Sequence, residues 1–171
     1  MPDFTFDTPF AAGLSLSETV RKTPKTALLF LRYYGCTLCQ YEMHLLAENY
    51  DQITAAGGQV LVVLQSDPAG IAEQIEPDSL PFTIICDPQA ALYEKFGIQP
   101  AASMAKMADA GTMLKIAKAT AAGYKHGAYE GNELQLPASF VVDKERRISY
   151  AHYGKSAGDT PDVRSLAELL K

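Results

Sequence analysis

Two cysteines three residues apart, Cys36 and Cys39, stand between an apolar run and a helix-periodic one. The run before them, Thr26-Ala-Leu-Leu-Phe-Leu-Arg-Tyr33, is bounded by Pro24 and Gly35 and reads as a buried strand. The segment after them, from about Thr37 to Ala56, carries Leu38, Met43, Leu45, Leu46, Tyr50 and Ile53 near helical spacing. Gly57-Gly58 supplies its stop. A strand running straight into a helix needs a crossover before the next strand, and that implies parallel pairing.

The rest of the chain continues the alternation. Gln59 to Gln65 reads as a second buried strand, and Pro68 to about Glu76 as a helix opening on proline. Pro81 to Cys86 is a third strand, and Gln89 to Phe96 a short helix closed by Gly97. Ser139 to Asp143 and Ile148 to His152 read as two strands joined by the charged turn Lys144-Glu-Arg-Arg147, an antiparallel pair. Thr160-Pro161-Asp162 opens a last helix with a hydroxyl cap, proline at the first helical position and an acid near the positive end. The expectation is an α/β fold: a mixed central sheet flanked by helices, in one domain over residues 1–171. A stretch at about 101–125, rich in Ala, Met and Lys and interrupted by Gly111, reads as a helical insertion packed against the sheet. Its Met104, Met107 and Met113 offer an alternative, an adaptable apolar surface for a partner.

Composition bounds the function. With 15 Lys and Arg against 20 Asp and Glu the net charge is −5, and no basic run exists. Nucleic acid is therefore not an expected partner, since binding it needs a basic field. No apolar stretch reaches the roughly 18 residues of a membrane span. The start, Met-Pro-Asp-Phe-Thr-Phe-Asp7, has neither the positive charge nor the apolar run of a signal peptide, so cytoplasmic residence is expected. Three cysteines are too few for a disulfide scaffold, and in a reducing compartment a close pair points to redox chemistry or metal.

The placement of the pair favours redox chemistry. A helix N-terminus presents unpaired N–H groups and the positive end of the macrodipole, which stabilise thiolate over thiol. The thiolate is the nucleophile in exchange, and three residues along a first turn bring the second sulfur within bonding reach. The competing reading is zinc, with Cys36, Cys39, Cys86 and one of His44, His126 or His152 as ligands. No second close pair supports it. The expected cofactor is thus none, beyond a redox-active disulfide. Cys86, at the end of its strand, reads as a packed thiol with a resolving role as the alternative. Arg32 reads as a solvated strand-end residue, with thiolate stabilisation as the alternative. His44 reads as a solvated or packed helix residue.

The segment Phe30-Leu-Arg-Tyr-Tyr-Gly-Cys-Thr-Leu-Cys39 with Glu42 resembles the active site of the peroxiredoxin-like (alkyl hydroperoxide reductase/thiol-specific antioxidant-like) branch of the thioredoxin superfamily. The likeness continues through Cys86-Asp-Pro88, Leu92-Tyr-Glu-Lys-Phe-Gly97, Leu136-Pro-Ala-Ser-Phe-Val-Val-Asp143 and Ile148-Ser-Tyr-Ala-His-Tyr153. It implies a thioredoxin-like fold, reducible thiols and an antioxidant role. Two departures bear on mechanism. Peroxiredoxins carry Thr-x-x-Cys, whereas Cys36 occupies the threonine position here. They also carry an arginine where this chain has Pro137, the place at which thioredoxins have a cis-proline. By that resemblance Pro137 would be cis and hold the Leu136 backbone open to an extended substrate. Six residues before Cys36, where thioredoxins bury an aspartate, stands Phe30.

Two mechanisms follow from the resemblance, with Thr37, Leu38, Glu42, Leu136 and Pro137 in supporting positions. In a thiol–disulfide oxidoreductase, Cys36 attacks a substrate disulfide and Cys39 resolves. In a thiol peroxidase, Cys39 attacks hydrogen peroxide or an alkyl hydroperoxide and Cys36 closes the disulfide. Glu42 matches the peroxiredoxin glutamate and keeps the second open. A non-catalytic redox-sensing module is the third reading. The partners expected are a protein disulfide or peroxide substrate and a thioredoxin- or glutaredoxin-type reductant, with a homodimer compatible with either mechanism.

Overall fold

In the computed structural model, which describes residues 1–171, the N-terminal segment forms a small hairpin of β1 (Thr5–Phe6) and β2 (Leu14–Ser15), then α1 (Leu16–Thr19). A 3-10 turn, Val20–Lys22, leads into β3 (Lys25–Phe30). After it come α2 (Thr37–Glu48), α3 (Tyr50–Ala55), β4 (Gly58–Leu64), α4 (Pro68–Ala72), β5 (Thr83–Cys86) and α5 (Ala91–Lys95). Then follow α6 (Met104–Met107), α7 (Ala110–Ala121), β6 (Ala138–Asp143), β7 (Ile148–Tyr153) and α8 (Val163–Leu170). The five long strands make one sheet in the order β5-β4-β3-β6-β7. β3, β4 and β5 are parallel, and β6 and β7 join antiparallel on the other side of β3. The expected mixed sheet is the one observed.

Strand alternation sorts the core into two layers. Ala27, Leu29, Val60, Val62, Ile84 and Val141 face α2, α3 and α8 through Met43, Leu46, Ile53, Leu166 and Leu170. Leu28, Phe30, Leu61, Val63, Ile85, Phe140 and Val142 face the opposite layer with Phe4, Phe6, Leu16, Leu92 and Tyr93. Phe30 lies edge-on to Tyr93 (ring centroids 5.2 Å apart) and Phe140 (5.7 Å), which occupies it wholly with packing. The two cysteines belong to the first layer.

Several boundaries differ from expectation, each for a local reason. The helix expected from Thr37 to Ala56 breaks at Asn49, whose side-chain amide donates to the Leu45 carbonyl at 2.9 Å and competes with the helical ladder. The last helix starts later than Thr160-Pro161 suggests. Asp162 is its cap, accepting the Ser165 N–H at 2.8 Å. Thr160 turns inward instead, onto Glu42. The N-terminal hairpin and α1 were not foreseen, although Ser15-Leu-Ser-Glu18 has the capping-box pattern, and Ser15 Oγ does accept the Glu18 N–H.

The insertion becomes α6 and α7. It packs on α2 and on the loop after β7 rather than on the sheet itself. Met107 is buried and its carbonyl accepts the Ala157 N–H, whereas Met104 and Met113 are exposed. No helix is long and apolar enough to cross a membrane.

The Asp162 cap gives a direct stability test. Ser165 holds the Asp162 carboxyl below its ordinary range, so its stabilisation is present above the unfolded carboxyl's pKa and lost as pH falls through the folded one. Asp162→Ala should cost about 1 kcal/mol in urea unfolding at pH 7. The difference from the native chain should close at acid pH.

Candidate active site

β3 ends at Phe30 and the chain leaves the ladder there, fastened from below by Tyr93. Its buried hydroxyl lies 2.6 Å from the Leu31 carbonyl and 2.8 Å from that of Val63. The loop that follows delivers Cys36 to the first turn of α2 as its N-cap, with extended φ −64° and ψ 122°. Cys36 Sγ accepts the Cys39 N–H at 3.3 Å, the bond that a serine or aspartate cap would make. Thr37 and Leu38 form the start of α2. Leu38 is buried in the core and Thr37 is half-buried.

Three further contacts decide where charge rests. Cys39 Sγ donates to Cys36 Sγ at 2.7 Å, Arg32 Nη2 donates to Cys36 Sγ at 3.1 Å, and Arg32 N–H donates to Cys39 Sγ at 3.5 Å. Both sulfurs are buried. The hydrogen bond from Cys39, with the Arg32 charge behind it, pulls the Cys36 thiol down to about 6 against the opposing effect of burial. Burial and the neighbouring Cys36 push the Cys39 thiol well up. Burial works against the Arg32 charge, and the Cys36 charge and hydrogen bond more than offset it, raising its pKa above the usual range. The pair therefore holds one negative charge, on Cys36.

Arg32 is not the solvated residue expected. Its side chain is 16% exposed, and its Nη1 donates to the Glu133 carbonyl at 2.8 Å while the Glu133 carboxylate stands 3.6 Å away. Tyr33, wholly buried, donates its hydroxyl to that carboxylate and meets His126 Nε2 at 2.9 Å. Sequence spacing conceals these partners, which lie about a hundred residues downstream.

Glu42 sits one turn after Cys39 and lines the same small cavity as both sulfurs. Its carboxylate accepts Lys115 Nζ at 2.7 Å and Thr160 Oγ1 at 3.1 Å, and Lys115 also donates to the Gly158 carbonyl. The insertion thus reaches the site through Lys115, a link no local pattern announces.

Pro137 also lines that cavity, but its peptide bond is trans, as is every other in the chain. Nor is the Leu136 carbonyl left open as expected, because it accepts Gln135 Nε2 at 3.1 Å. Gln135, buried, is tied in turn to Gln65 and to the Ile98 carbonyl, so the segment before β6 is anchored to its neighbours. Cys86 makes no hydrogen bond through its sulfur to Cys36 or Cys39. Burial, with Asp67, Asp7 and Glu130 nearby, pushes its thiol up to about 12. His44 lies at 3.2 Å from Glu48 on the outer face of α2. No group of three or more His, Cys, Asp and Glu side chains gathers closely enough to hold a metal ion, and Cys86 and the histidines do not join Cys36 and Cys39 in one.

A family model described as the AhpC/TSA family matches residues 1–151. Among solved structures, peroxidoxin BcpB of Mycobacterium tuberculosis superposes with a TM-score of 0.66 at 13% identity, covering 99% of this chain and 90% of that one. The reduced 2-Cys peroxiredoxin of Plasmodium vivax gives 0.68 at 11% identity, with 99% and 77% covered. A Chlorobium tepidum protein described as a thiol:disulfide interchange protein DsbE gives 0.59 at 16%, with 99% and 94% covered. At such identities these likenesses bear on the fold, and all three share it. No curated protein matches the chain in sequence.

The charge assignment predicts a pH profile. With a pKa of about 6, the Cys36 thiolate forms as pH rises through 6, and the ultraviolet thiolate absorbance of the reduced protein should rise with it and level off above pH 7. Arg32→Met should move that midpoint up by about one unit, cutting the thiolate fraction at pH 6 by about fivefold. Loss of the absorbance step in Cys36→Ser, and its persistence in Cys39→Ser, reports which sulfur carries the charge.

Proposed function

The chain belongs to the AhpC/TSA family, and within it we propose a thiol–disulfide oxidoreductase in which Cys36 attacks and Cys39 resolves. The family carries oxidoreductases and peroxidases of thiol chemistry. The observation that favours this division of roles is that Cys36 Sγ is the acceptor of three hydrogen bonds, from the Cys39 thiol, the Cys39 N–H and Arg32 Nη2. A sulfur that accepts from a thiol, a guanidinium and a helix N-terminus is the nucleophile. The sulfur that donates is held back until the first step is complete.

The steps balance as follows. Cys36 thiolate displaces one sulfur of a substrate disulfide, forming a mixed disulfide and releasing a substrate thiolate that takes a proton from solvent. Cys39 then loses its proton and attacks Cys36 Sγ, which closes the Cys36–Cys39 disulfide and frees the second substrate thiol. The substrate gains two electrons and the protein loses two. Glu42, the only carboxylate lining the cavity of the two sulfurs, would receive the Cys39 proton through one water. It does the work for which Phe30, turned into the opposite layer, is unfit. A thioredoxin- or glutaredoxin-type dithiol would return the two electrons.

The peroxidase alternative assigns first attack to Cys39. Against it stands the high pKa imposed on that thiol by burial and by its neighbour. The two readings separate in single-cysteine variants. Cys39→Ser incubated with disulfide-bonded protein substrates should accumulate a mixed disulfide on Cys36, and Cys36→Ser should accumulate none. Peroxide consumption by the reduced native protein much faster than by free cysteine, with sulfenic acid on Cys39 in Cys36→Ser, would overturn the assignment.

A further inference from the structure

The nucleophile is closed off. Cys36 is 1% exposed, and the cavity that both sulfurs share is about 10 Å³, room for about one water. A substrate disulfide does not fit in it. The segment 124–134, which leaves α7 and leads toward β6, lies across the loop Arg32–Cys36 on Arg32, Tyr33 and Gly35, and Gln135 just after it lines the cavity.

The segment is fastened at both ends. At one end the Gly127 N–H donates to the Gly35 carbonyl at 2.8 Å, and Gln40 Nε2 bridges that carbonyl and the Lys125 carbonyl. The approach is so close that a Cβ on Gly35 would run into the Ala128 backbone. At the other end the Asn132 N–H donates to Gln65 Oε1 at 2.7 Å, and Glu133 takes Arg32 through its carbonyl and Tyr33 through its carboxylate. His126 joins the two ends through Tyr33, and Tyr129 stacks on it at 3.9 Å with its own ring 71% exposed.

All these fastenings except the ring stack are hydrogen bonds or charge contacts, and none of residues 122–134 is buried. A segment that buries little apolar surface opens at small cost compared with the core. Lifting it would free the loop residues that flank Cys36 and leave the buried Gln135 anchor in place.

The geometry points to residues 124–134 as a strap that shields Cys36 and selects substrates by size there. Seated, it admits a reactant of one or two heavy atoms; lifted, it admits a disulfide. The inference rests on Cys36 being the attacking thiol. The strap also orients the Arg32 guanidinium, because Glu133 occupies Nη1 and so turns Nη2 toward sulfur. Activation and shielding of the thiolate thus come from one contact.

The test uses the reduced full-length protein at pH 8.5, where Cys36 is fully ionised, so that changes in its pKa do not enter. Rates are measured with hydrogen peroxide, two heavy atoms, and with the aromatic disulfide 5,5′-dithiobis(2-nitrobenzoate), and the modified cysteine is identified by mass. Tyr33→Phe removes the hydroxyl that ties His126 to Glu133 and keeps the ring. His126→Ala removes the same tie from the exposed side, where the fold is not at risk. Each should raise the aromatic disulfide rate about tenfold, the effect of one hydrogen bond on an opening equilibrium, and change the peroxide rate less than twofold. Equal changes with both reagents, or no change with the disulfide, would overturn the strap. Reaction at Cys39 instead would overturn the assignment of the nucleophile. In hydrogen exchange the Gly127 amide should open far faster than the amides of β3; equal protection would also sink the idea.

Discussion

One buried negative charge organises this protein. A thiolate removed from water is strongly disfavoured unless donors replace the lost hydration. Cys36 has three such donors: the Cys39 thiol, the Cys39 backbone N–H and the Arg32 guanidinium. Each comes from a different level of the structure. The N–H exists because α2 begins there, the thiol because the spacing is one helical turn, and the guanidinium because the chain leaves the ladder at Leu31. Removing any of the three leaves the others to hold the charge alone.

The rest of the site is a support for those donors. Tyr93 reaches up from the second core layer to hold the carbonyls of Leu31 and Val63, where β3 gives way to the loop. Gln65 and Gln135, both buried, bind each other, and so fix the end of β4 to the segment before β6. Gly131 sits against the Gln65 side chain at φ +57°, where a Cβ would overlap the amide, so the chain can pass there only as glycine. Lys115 closes the other side by holding Glu42 from α7. The insertion therefore supports one residue of the active-site wall from behind.

What sequence could reveal follows from the range of the interactions. The cysteine pair, the strand before it, the helix after it and the final antiparallel pair were legible because periodicity and capping act within a few residues. The helix expected at Thr37–Ala56 was right in type but hid the break at Asn49, where one side chain outcompetes the ladder. Arg32 was misjudged because its partners, Cys36 excepted, lie in a segment without periodicity. Neither Glu133 nor His126 signals its role by spacing, since the loop that carries them takes its shape from what it lies on. Pro137 was misjudged for a different reason. Analogy placed an open, cis backbone at Leu136, but Gln135 and its buried partners hold that segment in an ordinary trans path.

The same charge sets the redox character of the pair. Only the reduced state carries the Cys36 thiolate, so whatever stabilises that thiolate stabilises the dithiol and makes the disulfide a stronger oxidant. At pH 7 a thiol with a pKa of about 6 in place of 9 favours the reduced state by about 1.4 kcal/mol, or about 30 mV for two electrons. The raised pKa of Cys39 adds little there, because an ordinary thiol is already protonated at that pH. Arg32 thus acts on rate and equilibrium together: it makes Cys36 a nucleophile near neutrality and tilts the pair toward accepting electrons. A strap that oriented Arg32 only while seated would then favour the dithiol when closed, and its lifting would weaken the thiolate as it exposed it. Attack on a large disulfide would be governed by the balance of those two effects, and attack by a small oxidant by the seated state alone.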